Sequence, residues 1–332
     1  MAKAKRSRQQ TSSAFGWIFQ SSAGLYLLLD CIEKATSIKM EGKKEDVEIT
    51  LNDDTIIYAQ AKSVENINDT ANNRAKLKKA LLSLSECTES VAKLIYISNI
   101  INPLDSDTEQ QYIYSRTPFS AFRQPDQKMI TDLLAEIDGG ANFQTAKFEL
   151  VTFKFIGDDD SQRYGEVLNK TREFLVRAHV SEGKAQAILT EWKALLMNNN
   201  AQRARMTKGD ILFPLILVTI EHQDLEAKYN EVCELGIYDE TMHRYSDFIH
   251  NAPRKTEFFM QVCGHYQKTY AAGDHINDFV KDKWKDYIEE FSVIEKSEDF
   301  LESLIKLLLL ATLLKRTAIN NIKTAANLEV KS

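Results

Sequence analysis

Two short stretches carry residue types that can act together on a phosphate ester. The first is Glu45-Asp46-Val47-Glu48-Ile49, and the second is Ala59-Gln60-Ala61-Lys62. Magnesium takes hard oxygen ligands and keeps several waters. Asp46 offers it a carboxylate and Gln60 a neutral carbonyl oxygen. Lys62 can hold or deprotonate an attacking water and offset charge developing on the phosphate. The chemistry these residues suit is metal-assisted phosphodiester hydrolysis.

The elements that must position them follow from periodicity. Val47, Ile49 and Leu51 alternate with Asp46, Glu48 and Thr50, which predicts a half-buried strand. Asn52-Asp53-Asp54 is a turn signal, and Thr55 to Ala61 reads as a second strand, so the pair forms a hairpin. Side chains alternate along a strand, so Gln60 and Lys62 share a face, as do Asp46 and Glu48. The hairpin brings Asp46, Gln60 and Lys62 to one end of the sheet. Glu48 reads equally as an extra ligand and as a solvent-facing strand residue. Glu45 is expected to point away from Asp46 as a structural residue. Tyr58 lies on the Gln60 face, bordering the site or packing.

Around the hairpin, residues 1–13 read as a disordered basic tail holding Lys3, Lys5, Arg6 and Arg8. A helix is expected from about Phe15 to Thr36, another from Ala71 to Leu94, and a third from Asp126 to Asp138. Leu94 to Ser98 and Phe148 to Ile156 read as apolar strands. This α-β-β-α-β-α-β order predicts a mixed α/β domain over 14–160. Beyond about residue 160 strand signals nearly vanish, which predicts an all-α domain over 161–332. The longest apolar stretch, about Glu295 to Ile322, is hydrophobic on all sides. It needs burial on more than one face, in part against a partner subunit or a second copy.

Composition narrows the classes. The chain has 332 residues, enough for about two domains. It is 43% hydrophobic and 27% charged, with only 12 glycines and 5 prolines. That favours long helices over a barrel of tight turns. No apolar run reaches membrane-spanning length, and no secretory leader is apparent, so the cytoplasm is the expected compartment. Cys31, Cys87, Cys233 and Cys263 are not paired at metal-ligand spacing, and the histidines, His243 and His250 included, show no zinc-like pattern. A net charge of −6 is unusual for a free nucleic-acid-binding domain. Basic surface must then be local. Arg74, Lys76, Lys78 and Lys79 on the second helix are a candidate phosphate-contacting face, or a solvated one. Trp192, Lys193, Arg203, Arg205 and Lys208 form a second basic cluster beside an aromatic residue.

An acid followed by Gln-x-Lys on the neighbouring strand resembles the core of the PD-(D/E)xK nucleases. The opening Phe15-Gly16-Trp17-Ile18-Phe19-Gln20 is similar to the Gly-aromatic-x-aromatic-Gln start of one branch. That branch holds double-stranded DNA endonucleases acting as effectors in bacterial anti-phage systems, whose members commonly carry Gln-x-Lys. It includes cyclic-oligonucleotide-based systems and Lamassu-type systems built around an SMC-like ATPase. A short nuclease domain with a helical second half is most similar to the Lamassu-type A subunit.

The resemblance implies a restriction-endonuclease-like fold over 14–160 and a helical assembly domain after it. It implies Mg²⁺ (or Mn²⁺) at Asp46 and Gln60, with Gln20 on the first helix binding or steering the metal. The implied partners are double-stranded DNA, an SMC-like ATPase, a small adaptor subunit and further copies of the chain. Two departures stand out. The second strand lacks an acidic ligand, and Glu45 stands where the wider family has proline, which implies modest metal affinity. Two alternatives remain open: a sequence- or modification-dependent restriction enzyme on the same core, and a non-catalytic scaffold that kept the fold.

Overall fold

The computed structural model describes residues 2–42, 44–67, 72–104, 112–157, 159–202, 204–221, 225–233, 237–250, 255–270, 275–293, 295 and 297–328. Two compact units emerge. The first comprises Met1–Glu173 with Leu189–Lys208, and the second Phe174–Ile188 with Gly209–Ser332.

The first unit is built on a seven-stranded mixed sheet. Its strands are β1 (Ala35–Met40), β2 (Val47–Leu51), β3 (Ile56–Lys62), β4 (Val91–Ser98), β5 (Arg116–Pro118), β6 (Phe148–Thr152) and β7 (Arg205–Thr207), in the order β5-β6-β4-β3-β2-β1-β7. β1, β2 and β3 form an antiparallel meander; β3, β4 and β6 run parallel. Both faces of the parallel strands are covered, so they read as near-continuous apolar runs. Helix α1 (Ala2–Asp30) covers the face bearing Ile38, Met40, Val47 and Ile49. A Cβ on Gly24 would lie 2.7 Å from Met40 Sδ, so glycine lets α1 settle closely on β1. The opposite face carries Tyr58, Leu94, Tyr96 and Leu150. They pack with Leu77, Leu81 and Leu84 of α2 (Asn73–Ser85) and Ile130 and Leu133 of α3 (Gln124–Ala135). Helices on both sides of one sheet make a three-layer α/β/α unit.

Several expectations need correcting. The first helix begins at Ala2, within the segment read as a disordered tail, because no glycine or proline interrupts the sequence before Gly16. It also ends earlier, at Asp30, and Ala35–Met40 is strand rather than helix. That strand sits between β2 and β7, where neighbours on both sides override weak local alternation. The second helix is shorter than Ala71–Leu94, spanning Asn73–Ser85, with Ala71 outside the described residues. β7 lies beyond residue 160 and pairs with β1 (Ile38 opposite Met206), so the sheet is completed from the half expected to be all-helical.

The compact division therefore falls elsewhere than at 160. α4 (Asp160–Arg163), most of α5 (Gly165–Arg177) and most of α6 (Ala185–Gln202) belong with the sheet. Trp192 is buried in this unit, and Lys193 Nζ lies 4.1 Å over the Tyr164 ring.

The second unit contains only helices among its described residues: α7 (Lys208–Glu221, from Gly209 on), α8 (Glu226–Val232), α9 (Tyr238–His250), α10 (Lys255–Thr269), α11 (Ile276–Lys283), α12 (Ile288–Phe291), α13 (Glu298–Leu314) and α14 (Arg316–Ala325). α13 is its axis, packed by α8 to α12 and by α14. Leu301, Leu304, Ile305, Leu307 to Leu310 and Leu313 are all 0–6% exposed. The chain's own helices thus bury the apolar surface for which a partner was invoked. No helix among the described residues is long and apolar enough to cross a membrane.

Candidate active site

Asp46 is held by the turn that joins β1 to β2. The Glu41 N–H donates to the Asp46 carbonyl and the Gly42 N–H to the Glu45 carbonyl, each at 2.9 Å. Glu41 takes a left-handed φ of 48°, which reverses the chain. Glu48 braces the same turn, its Oε1 accepting from the Lys44 N–H at 3.0 Å. A Cβ on Gly42 would fall 2.3 Å from the Glu48 carboxyl, so this position is closed to a side chain.

Across the hairpin, Val47 pairs with Ala59 and Glu48 with Tyr58, which sets Asp46 opposite Gln60. Three donors from β3 converge on a single oxygen. The Gln60 side-chain amide donates to Asp46 Oδ2, the Ala61 N–H donates to it at 2.9 Å, and Lys62 Nζ stands 3.5 Å from it. Among the described residues no hydrogen bond is made to Asp46 Oδ1. The structure therefore brings together the three side chains singled out from the sequence.

Sequence reasoning missed the supports beyond β3. Ser98 lies opposite Lys62 on β4 and donates to the Lys62 carbonyl at 2.7 Å, while its Oγ accepts from the Ile100 N–H. Asn99 is buried. Its Oδ1 accepts from the Val64 N–H at 2.9 Å, and its Nδ2 donates to the carbonyls of Val64 and Phe155. The signal was a polar Ser-Asn pair closing an otherwise apolar strand.

Glu45 also differs from expectation. It is turned into the interior against α2, 4% exposed, with Oε1 3.8 Å from Cys87 Sγ. Its Oε2 is buried without a hydrogen-bond partner. Burial pushes this carboxyl up to about 8. A Ser83 hydrogen bond opposes that shift, the Asp46 charge adds to it, and Lys62 opposes it.

Other candidates are placed differently. Gln20 sits on α1, against the opposite face of the sheet, and among the described residues no hydrogen bond joins it to Asp46, Gln60 or Lys62. Tyr58 packs under α2, its hydroxyl donating to the Glu89 carbonyl. Arg74 and Lys79 are exposed on α2, and Lys78 pairs with Glu136 at 2.8 Å. Asn72, Asn73, Arg74, Lys78, Leu133 and Glu136 border a cavity of about 390 Å³ at the start of α2. The second basic cluster is not one patch: Trp192 is core, Lys208 donates to the Glu33 carbonyl, Arg205 lies on β7, and Arg203 lies outside the described residues.

The donor set fits a hard divalent cation. Asp46 has an unengaged carboxylate oxygen. Turning the Gln60 amide about its last bond presents its carbonyl, and Glu45 contributes an orphaned buried oxygen. Among the described residues, no group of three or more His, Cys, Asp or Glu is arranged to hold a metal by itself, so the amide is needed.

No family model matches the chain. No curated protein matches it either. Among solved structures, it is similar to the Moraxella osloensis Cap4 SAVED/CARF-domain containing receptor, with 16% identity over 62% of this chain and 48% of that one, at a TM-score of 0.40. It is also similar to the Acinetobacter baumannii Cap4 SAVED/CARF-domain containing receptor with the cyclic trinucleotide 2'3'3'-cAAA, with 14% identity over 62% of this chain and 45% of that one, at the same TM-score. The match thus spans about half the length of those receptors.

Proposed function

We propose that the chain is a divalent-metal-dependent DNA endonuclease with little sequence preference, acting as an effector of bacterial anti-phage defence. The observation that carries this reading is the convergence of Gln60, Ala61 and Lys62 on one oxygen of Asp46 at the end of an α/β/α sheet. The resemblance of the Asp46, Gln60 and Lys62 pattern to PD-(D/E)xK nucleases supports it further. A restriction-endonuclease-like fold for the first unit is part of the same proposal.

In this reading Asp46 and Gln60 hold Mg²⁺ or Mn²⁺. The cation supplies Lewis-acid polarisation and eases deprotonation of water. Lys62, whose side chain is about one-third exposed, presents a cation to the attacking water and to charge accumulating on the phosphate. Ser98 and Asn99 fix the backbone that carries it. Arg74, Lys76, Lys78 and Lys79 give α2 a phosphate-contacting face, and phosphate contacts position DNA without reading its sequence. Membership of a Lamassu-type complex, with an SMC-like ATPase and a small adaptor, belongs to the same proposal. So do a cytoplasmic location and activation by assembly.

The test is cleavage of plasmid DNA by the full chain with Mg²⁺ or Mn²⁺, with Asp46→Ala as control and product ends mapped by sequencing. The reading expects dispersed ends that vanish in Asp46→Ala. Ends clustered at one motif would favour a restriction enzyme. Equal cleavage by parent and variant would remove the site assignment.

A further inference from the structure

We propose that Glu45 is the second carboxylate of the cation site. Two adjacent side chains on the β1–β2 turn then carry the negative charges, where the neighbouring strand offers only the neutral Gln60. The inference rests on the nuclease reading, since it needs the cation that Asp46 and Gln60 hold.

A carboxyl group is rarely buried without partners, and each unpaired buried oxygen calls for an explanation. Glu45 is 4% exposed, one oxygen meets only a thiol and the Ser83 hydroxyl, and the other has no hydrogen-bond partner. The charges acting on it are Asp46 and Lys62, the same two that face each other across the candidate site. Two ionised carboxylates beside one lysine leave an excess negative charge, which a bound cation would compensate. Glu48 is the other acid nearby, but it is engaged by the Lys44 N–H and wedged against Gly42. Glu45 is therefore the carboxyl with a free oxygen to offer.

The experiment is Mn²⁺ binding to the full chain without DNA, by calorimetry and by the electron paramagnetic resonance of free Mn²⁺. It is run with parent, Asp46→Ala, Glu45→Gln, Glu45→Asp and the double variant Glu45→Gln/Gln60→Glu, each with its Tm. Glu45→Gln is expected to weaken Mn²⁺ binding about 10-fold or more, the loss typical when a supporting group of a metal site is removed. The double variant is expected to recover binding by restoring a carboxylate within the set. A purely structural Glu45 would change Tm without changing affinity, and Gln60→Glu would rescue nothing. Parent-like affinity in Glu45→Gln, with binding lost in Asp46→Ala, would overturn this inference and leave the nuclease reading standing. Binding no tighter in the parent than in Asp46→Ala would overturn both. Should Glu45→Gln not fold, Glu45→Asp decides: its shorter reach is expected to weaken binding several-fold, and unchanged affinity would count against the proposal.

Discussion

Ser98 Oγ donates a 2.7 Å hydrogen bond to the carbonyl of Lys62, so the strand ending in the candidate lysine is clamped by its parallel neighbour. The same hydroxyl accepts from the Ile100 N–H. Ser98→Ala therefore removes two hydrogen bonds at a fully buried position. The expected stability cost is about 1–3 kcal/mol, because a buried donor and a buried acceptor lose their partner together. Cleavage is expected to fall more than unfolding explains, since Lys62 loses its fixed height. Chemical denaturation beside a cleavage assay at matched folded fraction checks this; a parent-like rate would show that the clamp does not position Lys62.

At the site, Asp46→Ala and Lys62→Ala are expected to abolish metal-dependent cleavage while the fold survives, since both side chains lie at the rim of the sheet. Gln60→Ala is expected to be severe but leaky, because water can replace a neutral ligand. Gln60→Glu is expected to retain activity. Rates on supercoiled plasmid, with circular dichroism as the control for folding, decide the matter. A fully active Lys62→Ala would remove lysine from the mechanism.

The β1–β2 turn gives a packing prediction. Gly42→Ala puts a methyl group 2.3 Å from the Glu48 carboxyl, so either that side chain or the turn must shift. A loss of about 1–3 kcal/mol is expected, the range for overpacking. In a Glu48→Ala background the same substitution is expected to cost much less. A double-mutant cycle measures the coupling, and strict additivity would mean that the turn moves instead of Glu48.

Acid sensitivity follows from the pairs at the β5–β6 edge. Burial pushes Glu149 up, but hydrogen bonds and charge from Lys93 and Arg116 outweigh it, so its carboxyl sits below the ordinary 4.5. Arg116 continues to Asp30 at 2.7 Å, linking the end of α1 to this edge. A depressed folded-state value means stability is fully present above the unfolded value and is lost as pH falls through the folded one. Denaturation midpoints are expected to drop below about pH 4.5, and Glu149→Gln is expected to flatten that part of the profile. An identical profile in the variant would mean that other groups govern the acid limb.

The site was more legible in the sequence than the fold around it. Asp46, Gln60 and Lys62 could be placed together because side-chain alternation and a hairpin register are local. Ser98 could not be foreseen, because its bond to Lys62 depends on the parallel register of two strands across a crossover helix. β1 and β7 escaped for the same reason: Lys39 pairs with Arg205, and three residues carry no periodicity of their own. Glu45 was misjudged because strand alternation was extended into a turn, where it fails. Helical periodicity found α13 but not what covers it, since an all-round apolar helix reads alike at a subunit interface and inside a bundle.

That last ambiguity is open to measurement. Leu308 is fully buried on α13, which the unit's own helices surround. Leu308→Ala is expected to destabilise the second unit by about 2–5 kcal/mol, the cost of deleting a buried leucine side chain and leaving a cavity. Because that surface is covered within the chain, the oligomeric state of the folded protein is expected to stay as in the parent. Size-exclusion light scattering, at concentrations where the variant remains folded, provides the check alongside Tm. A parent-like Tm with altered association would mean that α13 is contacted by another subunit, and assembly would then run through this helix after all.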